Sequence, residues 1–135
     1  MSLFNLKDVT LHSGSKSDWI IDCTALTSDD LDALARIATR MMGRFGAVVG
    51  IPKGGLPFAK ALVPYVTEGH PCILLADDVC TTGNSFIEAR DTLTTGVVPD
   101  NPENFRGIVI FARGPVPSWV RAIWTLHGME HEQGK

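Results

Sequence analysis

Three cysteines are all that this 135-residue chain contains, and Cys23, Cys72 and Cys80 lie far apart. An odd, scattered set has neither the pairing of a disulfide framework nor the spacing of a metal finger. The expectation is therefore reduced thiols in a cytoplasmic protein. The chain also lacks an apolar run long enough to cross a bilayer, and no secretory pattern opens it. It has no basic run, and with a formal net charge of -3 at pH 7 nucleic acid is a poor fit as the main partner. Internal repeats and low-complexity tracts are absent too. What is present is an ordinary globular composition, 44% apolar and 20% charged, at the length of one domain. A single domain over residues 1–135 is expected, with residues 1–24 and about 115–135 as accessory elements at its ends.

Residues 1–18 read as polar and turn-rich, with Leu3, Phe4, Leu6, Val9 and Leu11 as scattered anchors. Trp19–Cys23 reads as a short strand. Thr27-Ser-Asp-Asp30 is a helix start, an N-cap hydroxyl with acids in the first turn. Leu31, Leu34, Ala35, Ala38, Met41, Met42 and Phe45 then recur at helical spacing, ended by Gly43 and Gly46. Ala47–Ile51, Cys72–Ala76 and Gly107–Ala112 are short apolar strands, and Trp119–Leu126 is a candidate fourth. Helices are expected over Leu56–Val66, ending near Pro64, and from Phe86 to about Thr95. Alternating strands and helices predict an α/β fold, a small doubly wound parallel sheet with right-handed crossovers.

Ligands of such sheets sit beyond the carboxyl ends of the strands. Two turns fall there. In Ile73-Leu-Leu-Ala-Asp-Asp-Val-Cys-Thr-Thr-Gly-Asn-Ser85 an apolar strand runs into paired carboxylates, Asp77 and Asp78, and then into a small-residue loop that opens a helix. Backbone N–H groups and the helix dipole suit a phosphate, and Gly83 lets the backbone approach an anion. A lone Asp-Asp is more often a solvated turn or a cap; the Thr-Thr-Gly-Asn-Ser continuation is what that reading does not require. The second turn, Pro52-Lys-Gly-Gly55, is by itself a common strand-to-helix turn.

Together these segments resemble the type I phosphoribosyltransferases, whose donor is 5-phosphoribosyl 1-diphosphate (PRPP). The resemblance implies that Asp77 and Asp78 hold the ribose hydroxyls, directly or through water on Mg2+. It implies that Thr81, Thr82, Gly83, Asn84 and Ser85 wrap the 5-phosphate. Lys53, Gly54 and Gly55 would cradle the pyrophosphate, in a loop that often carries a strained or cis peptide in this family. Val9-Thr-Leu-His-Ser-Gly-Ser-Lys-Ser-Asp-Trp-Ile-Ile-Asp22 is similar to the N-terminal hood of the orotate enzymes. By that likeness Arg113, His12 and Thr81 contact the base, and bidentate pairing with a carboxylate suits an arginine. Asp77, Asp78 and Lys53 would form the catalytic set. Magnesium-dependent transfer to a base such as orotate, a place in pyrimidine biosynthesis and a homodimer all follow as implications.

The chain departs from that pattern in places. Type I enzymes usually insert a long flexible loop between the two turns, whereas here only Lys60–Pro71 intervenes, with Lys60 and His70 as its basic residues. The turn lysine of the orotate enzymes aligns with Gly54, and their hood lysine with His12. Two other readings stand beside the enzyme: a PRPP- or nucleotide-sensing regulatory module, and a phosphoacceptor domain of response-regulator type. Other features are weaker. His127, Glu130 and His131 have helical metal spacing but sit in a polar tail. Trp119 and Trp124 fit a core or dimer contact better than a base platform. Cys80 reads as structural, and Asp22 as either structural or close to the base site.

Overall fold

The computed structural model describes residues 4–10, 16–94 and 104–126. It opens with an antiparallel hairpin, β1 (Phe4–Thr10) and β2 (Lys16–Ile21). These residues were expected to form no strand before Trp19. The reason is a register shift between Leu6 and Val9: a bulge breaks the period-two alternation by which a strand is read. A 3-10 turn at Cys23–Ala25 follows, capped by the Asp22 carboxylate, which accepts from Thr24 N–H. Asp22 is thus a structural cap.

Helix α1 (Ser28–Met42) begins on a complete capping box. Thr27 Oγ1 accepts from Asp30 N–H at 3.1 Å, and Asp30 Oδ2 accepts from Thr27 N–H at 2.9 Å. Gly43, at a φ of 74°, closes it. The chain then builds β3 (Ala47–Gly50), α2 (Leu56–Leu62), a 3-10 turn at Val63–Tyr65, β4 (Ile73–Cys80), α3 (Asn84–Thr94), β5 (Phe105–Ala112) and β6 (Val120–Thr125). The last four strands form one parallel sheet in the order β3-β4-β5-β6. The expected α/β architecture is therefore present. Val120–Thr125 belongs to that sheet, not to a terminal accessory element.

Side chains alternate across the sheet. Leu74, Ala76, Ile108 and Ile110 pack under α1 and α2, with Leu34, Ala35, Ala38, Phe58 and Leu62. Leu75, Val109, Phe105 and Val120 pack under Phe86 of α3 on the other face. This places α2 and α3 on opposite faces, although β3-α2-β4 and β4-α3-β5 step across the sheet in the same direction. Two such steps have opposite hands, so one of them departs from the right-handed rule expected from the sequence. Packing of α2 against α1, around Ala35, Ala38, Phe58 and Leu62, outweighs the crossover preference.

Two arginines tie α1 to the sheet. Arg106 donates from Nη1 to Met42 O and from Nη2 to Arg44 O, both at 2.6 Å, and from Nε to Cys72 Sγ at 3.0 Å. Arg121 Nη1 donates to Met41 O at 2.8 Å. The Met41 and Met42 carbonyls lie in the last turn of α1 and have no acceptor role left inside it, and the Arg44 carbonyl lies just past its C-cap. Arg106→Met keeps the stem but removes the donors. It is expected to cost about 2 kcal/mol, read as a lower urea midpoint at unchanged slope. An unchanged midpoint would mean that water replaces the guanidinium.

Candidate functional site

Strand β4 outruns β3. Pairing between them stops at Gly50 with Ala76, while β4 continues beside β5 through Cys80. Asp77 and Asp78 therefore lie within the strand, not at its end as expected, at the point where one neighbour has gone. Each carboxylate there accepts from the next backbone N–H: Asp77 Oδ1 from Asp78 N at 2.8 Å, and Asp78 Oδ1 from Val79 N at 2.7 Å. The acids thus satisfy donors that the ladder leaves.

The space beside them is filled by the Pro52–Gly55 turn. Ile51 N–H donates to Ala76 O at 2.9 Å, which seats the turn on β4. A Cβ placed on Gly54 would fall on the Asp78 carboxylate, and one on Gly55 would strike the carbonyls of Ala76 and Ile51. Both glycines are needed for this close approach. The two distant segments are thereby brought side by side. The Pro52–Lys53 peptide is cis, and Lys53 and Gly54 are exposed. Gly55 N–H donates to Ile51 O at 2.9 Å, which closes the turn on itself.

Beyond β4 the chain rounds Thr81–Gly83 into α3. Thr82 Oγ1 accepts from Asn84 N–H at 3.3 Å. Thr82, Asn84 and Ser85 are exposed and Thr81 is half-buried. Gly83 has a φ of 85°, and a Cβ there would lie 2.6 Å from Pro117 Cδ. Its glycine is thus required by the backbone and by the β5–β6 turn above it, a reason the sequence reading did not contain. Arg113 follows β5, 3% exposed, and its N–H donates to Cys80 O at 2.8 Å, one residue before Thr81. His12, the remaining candidate, and the His127, Glu130, His131 group lie outside the described residues.

Burial holds the Asp77 carboxyl well above the usual range, up to about 8, aided by the hydrogen bond and charge of Asp78. Two carboxyls this close do not readily ionise together. Burial likewise pushes the Cys80 thiol up to about 11, against the opposing hydrogen bond from Gly83 N–H, so Cys80 is an inert core thiol. Cys23 is a different matter. Its thiol is pushed up to about 12 by burial, then by the charge of and hydrogen bond to Asp78, with Asp22 and Asp77 adding to this. Sequence reasoning treated Cys23 only as a reduced thiol. Nothing local marks the influence of Asp78 on it, which spans more than fifty positions of chain.

The connection from the Pro52–Gly55 turn to β4 returns along α2 to the opposite end of the sheet. There Thr67 N–H donates to Phe45 O and Gly46 N–H to Cys72 O, both at 2.8 Å, and His70 Nδ1 accepts from Cys72 N–H at 3.1 Å. His70 is thus remote from the acids. Trp119 packs edge-on to Phe86 at 6.1 Å with Arg90 over its ring at 4.4 Å, which makes it a core contact. Trp124, 47% exposed, stacks on Phe111 at 5.4 Å. No group of three or more potential metal-ligating side chains occurs among the described residues, and no helix there is long and apolar enough to cross a membrane.

No family model matches the chain. Among characterised proteins, an orotate phosphoribosyltransferase of Aeropyrum pernix is 31% identical over 114 residues, taking in 64% of this chain and 61% of that protein. The chain thus spans less than two thirds of that relative. Since 64% of 135 residues falls short of 114, the relative carries additional residues inside the matched stretch. Among solved structures, the crystal structure of orotate phosphoribosyltransferase from Aeropyrum pernix gives a TM-score of 0.74 at 20% identity, covering 98% of this chain and 93% of that one. The Mycobacterium tuberculosis H37Rv orotate phosphoribosyltransferase in complex with inorganic phosphate gives 0.64 at 18%, covering 90% and 87%. A phosphoribosyltransferase from Corynebacterium diphtheriae gives 0.60 at 17%, covering 82% and 84%. At these identities the structural likeness speaks for the fold.

Proposed function

We propose that the chain is a type I phosphoribosyltransferase, a reading supported by its likeness to orotate phosphoribosyltransferases, and that it transfers the phosphoribosyl group of PRPP to a nitrogenous base, with orotate the first candidate. The observation that carries this reading is the seating of the Pro52–Gly55 turn directly on the Asp77–Asp78 pair. A diphosphate held by the turn and a ribose held by the acids are then adjacent, as PRPP requires. The Thr81–Gly83 loop and the first turn of α3, at Asn84 and Ser85, supply donors for the 5-phosphate from hydroxyls and from N–H groups that have no acceptor within the helix.

Asp77 and Asp78 accept from the ribose hydroxyls. Lys53 and the Gly54 N–H face the pyrophosphate, and Thr81, Arg113 and His12 are assigned to the base. In the reaction the bond from C1 to the pyrophosphate oxygen breaks with its electron pair leaving on oxygen, and a base nitrogen donates its pair to C1. No covalent nucleophile from the protein is required; the side chains position the reactants and offset charge. Two adjacent carboxylates fit Mg2+, which is commonly held by one or two carboxylates with substrate oxygens and water completing the shell. When bound, Mg2+ would neutralise charge on the departing pyrophosphate. A homodimer and a place in pyrimidine biosynthesis belong to the same reading.

The test is release of pyrophosphate from PRPP across a panel of nucleobases including orotate, with Mg2+ and with excess EDTA. Release dependent on both one base and the metal is expected. Binding of Mg-PRPP without any base-dependent release would overturn the enzyme reading.

A further inference from the structure

Helix α3 follows directly on the 81–85 loop, yet it is held to the sheet at few points. Among its described residues Phe86 alone is buried. That ring lies on the backbone of β5, where a Cβ at Gly107 would stand 3.0 Å from Phe86 Cδ1. The turn between β5 and β6, residues 113–119, closes over the same helix start at three points. Arg113 N–H donates to Cys80 O at 2.8 Å, just before the loop. The Pro117 ring fills the space where a side chain at position 83 would lie, with Cδ 2.6 Å and Cγ 2.9 Å from such a Cβ. Trp119 packs edge-on to Phe86 at 6.1 Å and carries Arg90 of α3 over its ring at 4.4 Å. The turn is itself fixed, because Val120 N–H donates to Pro117 O and Gly107 N–H to Trp119 O, both at 2.9 Å. We infer that Pro117 is a positioning residue: its ring is the wall that holds Gly83 in place and so sets the shape in which residues 81–85 receive the 5-phosphate of PRPP.

This inference rests on the proposed function, since it concerns how the phosphate end of that site is held. Gly83, at a φ of 85°, is the residue type with the widest choice of backbone conformations, so a loop built around it does not fix its own shape. Its internal brace, Thr82 Oγ1 accepting from Asn84 N–H, is long at 3.3 Å. A proline ring suits the missing support. It is rigid, and proline has no N–H, so the wall adds no donor that would draw the phosphate away from the loop. A loop held in its binding shape beforehand loses less conformational freedom when ligand arrives.

The experiment is calorimetric titration of the full chain, wild type and Pro117→Ala, with Mg-PRPP, ribose 5-phosphate and Mg-pyrophosphate. Ribose 5-phosphate shares the 5-phosphate end of PRPP, and pyrophosphate shares the end assigned to the Pro52–Gly55 turn. Pro117→Ala is expected to weaken PRPP and ribose 5-phosphate alike, about five- to tenfold, and to leave Mg-pyrophosphate within about twofold of the wild type. A merely structural role would weaken all three together. Gly83→Ala should also cost ribose 5-phosphate affinity, and should cost less on the Pro117→Ala background, where the ring no longer meets the new Cβ. If Pro117→Ala does not fold, Gly83→Ala in the wild-type background tests the same wall from the other side, with the same selective loss expected. Wild-type PRPP affinity in Pro117→Ala, an equal loss for pyrophosphate, or unchanged ribose 5-phosphate affinity in Gly83→Ala overturns the inference while leaving the PRPP site standing. Absence of PRPP binding by the wild type would overturn the functional reading, and this inference with it.

Discussion

Asp77→Asn is expected to weaken PRPP binding about a hundredfold or more and, in the same protein, to raise the melting temperature of the ligand-free fold near pH 8. Both effects follow from one arrangement. Asp77 is buried on a strand that has lost one neighbour, and Asp78 lies beside it, so burial first and the adjacent acid second hold its folded-state pKa up at about 8. The unfolded chain would titrate near the ordinary carboxyl value of 3.8. A raised folded value means that the folded state keeps its proton more tightly. Its contribution to stability is complete below the unfolded value and is lost as pH rises through the folded one.

The wild type should therefore lose stability between about pH 4 and pH 8 from this source, whereas the asparagine variant has no charge to bury. After allowing for water at the strand edge, the difference is on the order of 1 to 2 kcal/mol near pH 8, a melting shift of about 5 °C. It should shrink as pH falls toward 5. Calorimetric melting of both proteins from pH 5 to pH 8.5 checks it; a variant less stable than the wild type at pH 8 would contradict the electrostatic account. The loss of binding has a separate cause. A charged acceptor for ribose hydroxyls is gone, and about two orders of magnitude in affinity is a modest expectation for such a group. A site that destabilises its own fold until the ligand arrives is a common arrangement where charge must be buried for function.

How much of this was legible in the sequence depended on how local the cause was. Thr27 and Asp30 stand three positions apart, so the capping box was visible as a helix start. The helical spacing of Leu34, Ala35, Ala38 and Met42 was equally visible, and all four are buried. The apolar runs of β3, β4 and β5 and the glycines of the two turns marked the sheet and the edge where the candidate site lies. What stayed hidden acts across the chain. Arg106 looks like the end of a loop until β5 places it against the carbonyls of Met42 and Arg44 at the C-terminal end of α1. Gly83 suggests an approach to phosphate, but Pro117 closes that side. The hand of one crossover is set by α1 packing on α2. Periodicity reports the burial of one element's face; it carries no record of which distant element supplies the other side.

Gly54→Ala and Gly55→Ala should separate function from fold, though they are neighbours in one turn. A Cβ at Gly54 would collide with the Asp78 carboxylate, with the nearest approach to Oδ2 and with Cγ at 2.7 Å. A side-chain carboxylate can rotate away, so the fold survives at a cost of about 1 kcal/mol or less. The rotation, however, removes Asp78 from the orientation set by Val79 N–H. PRPP affinity should then fall by about a hundredfold, close to the loss in Asp78→Asn. At Gly55 the obstacles are backbone: the Ala76 carbonyl, the Ile51 carbonyl at 2.7 Å and the Asp77 Cα at 3.0 Å. None of these can turn aside, so the turn must lift from β4 and break the bond from Ile51 N–H to Ala76 O. A loss of about 3 kcal/mol or more in unfolding free energy is expected for Gly55→Ala. Urea unfolding and PRPP titration of the two variants check the pair. Equal stability losses would mean that the turn moves as a rigid unit, and wild-type PRPP affinity in Gly54→Ala would show that the turn and the acids do not act on the same ligand.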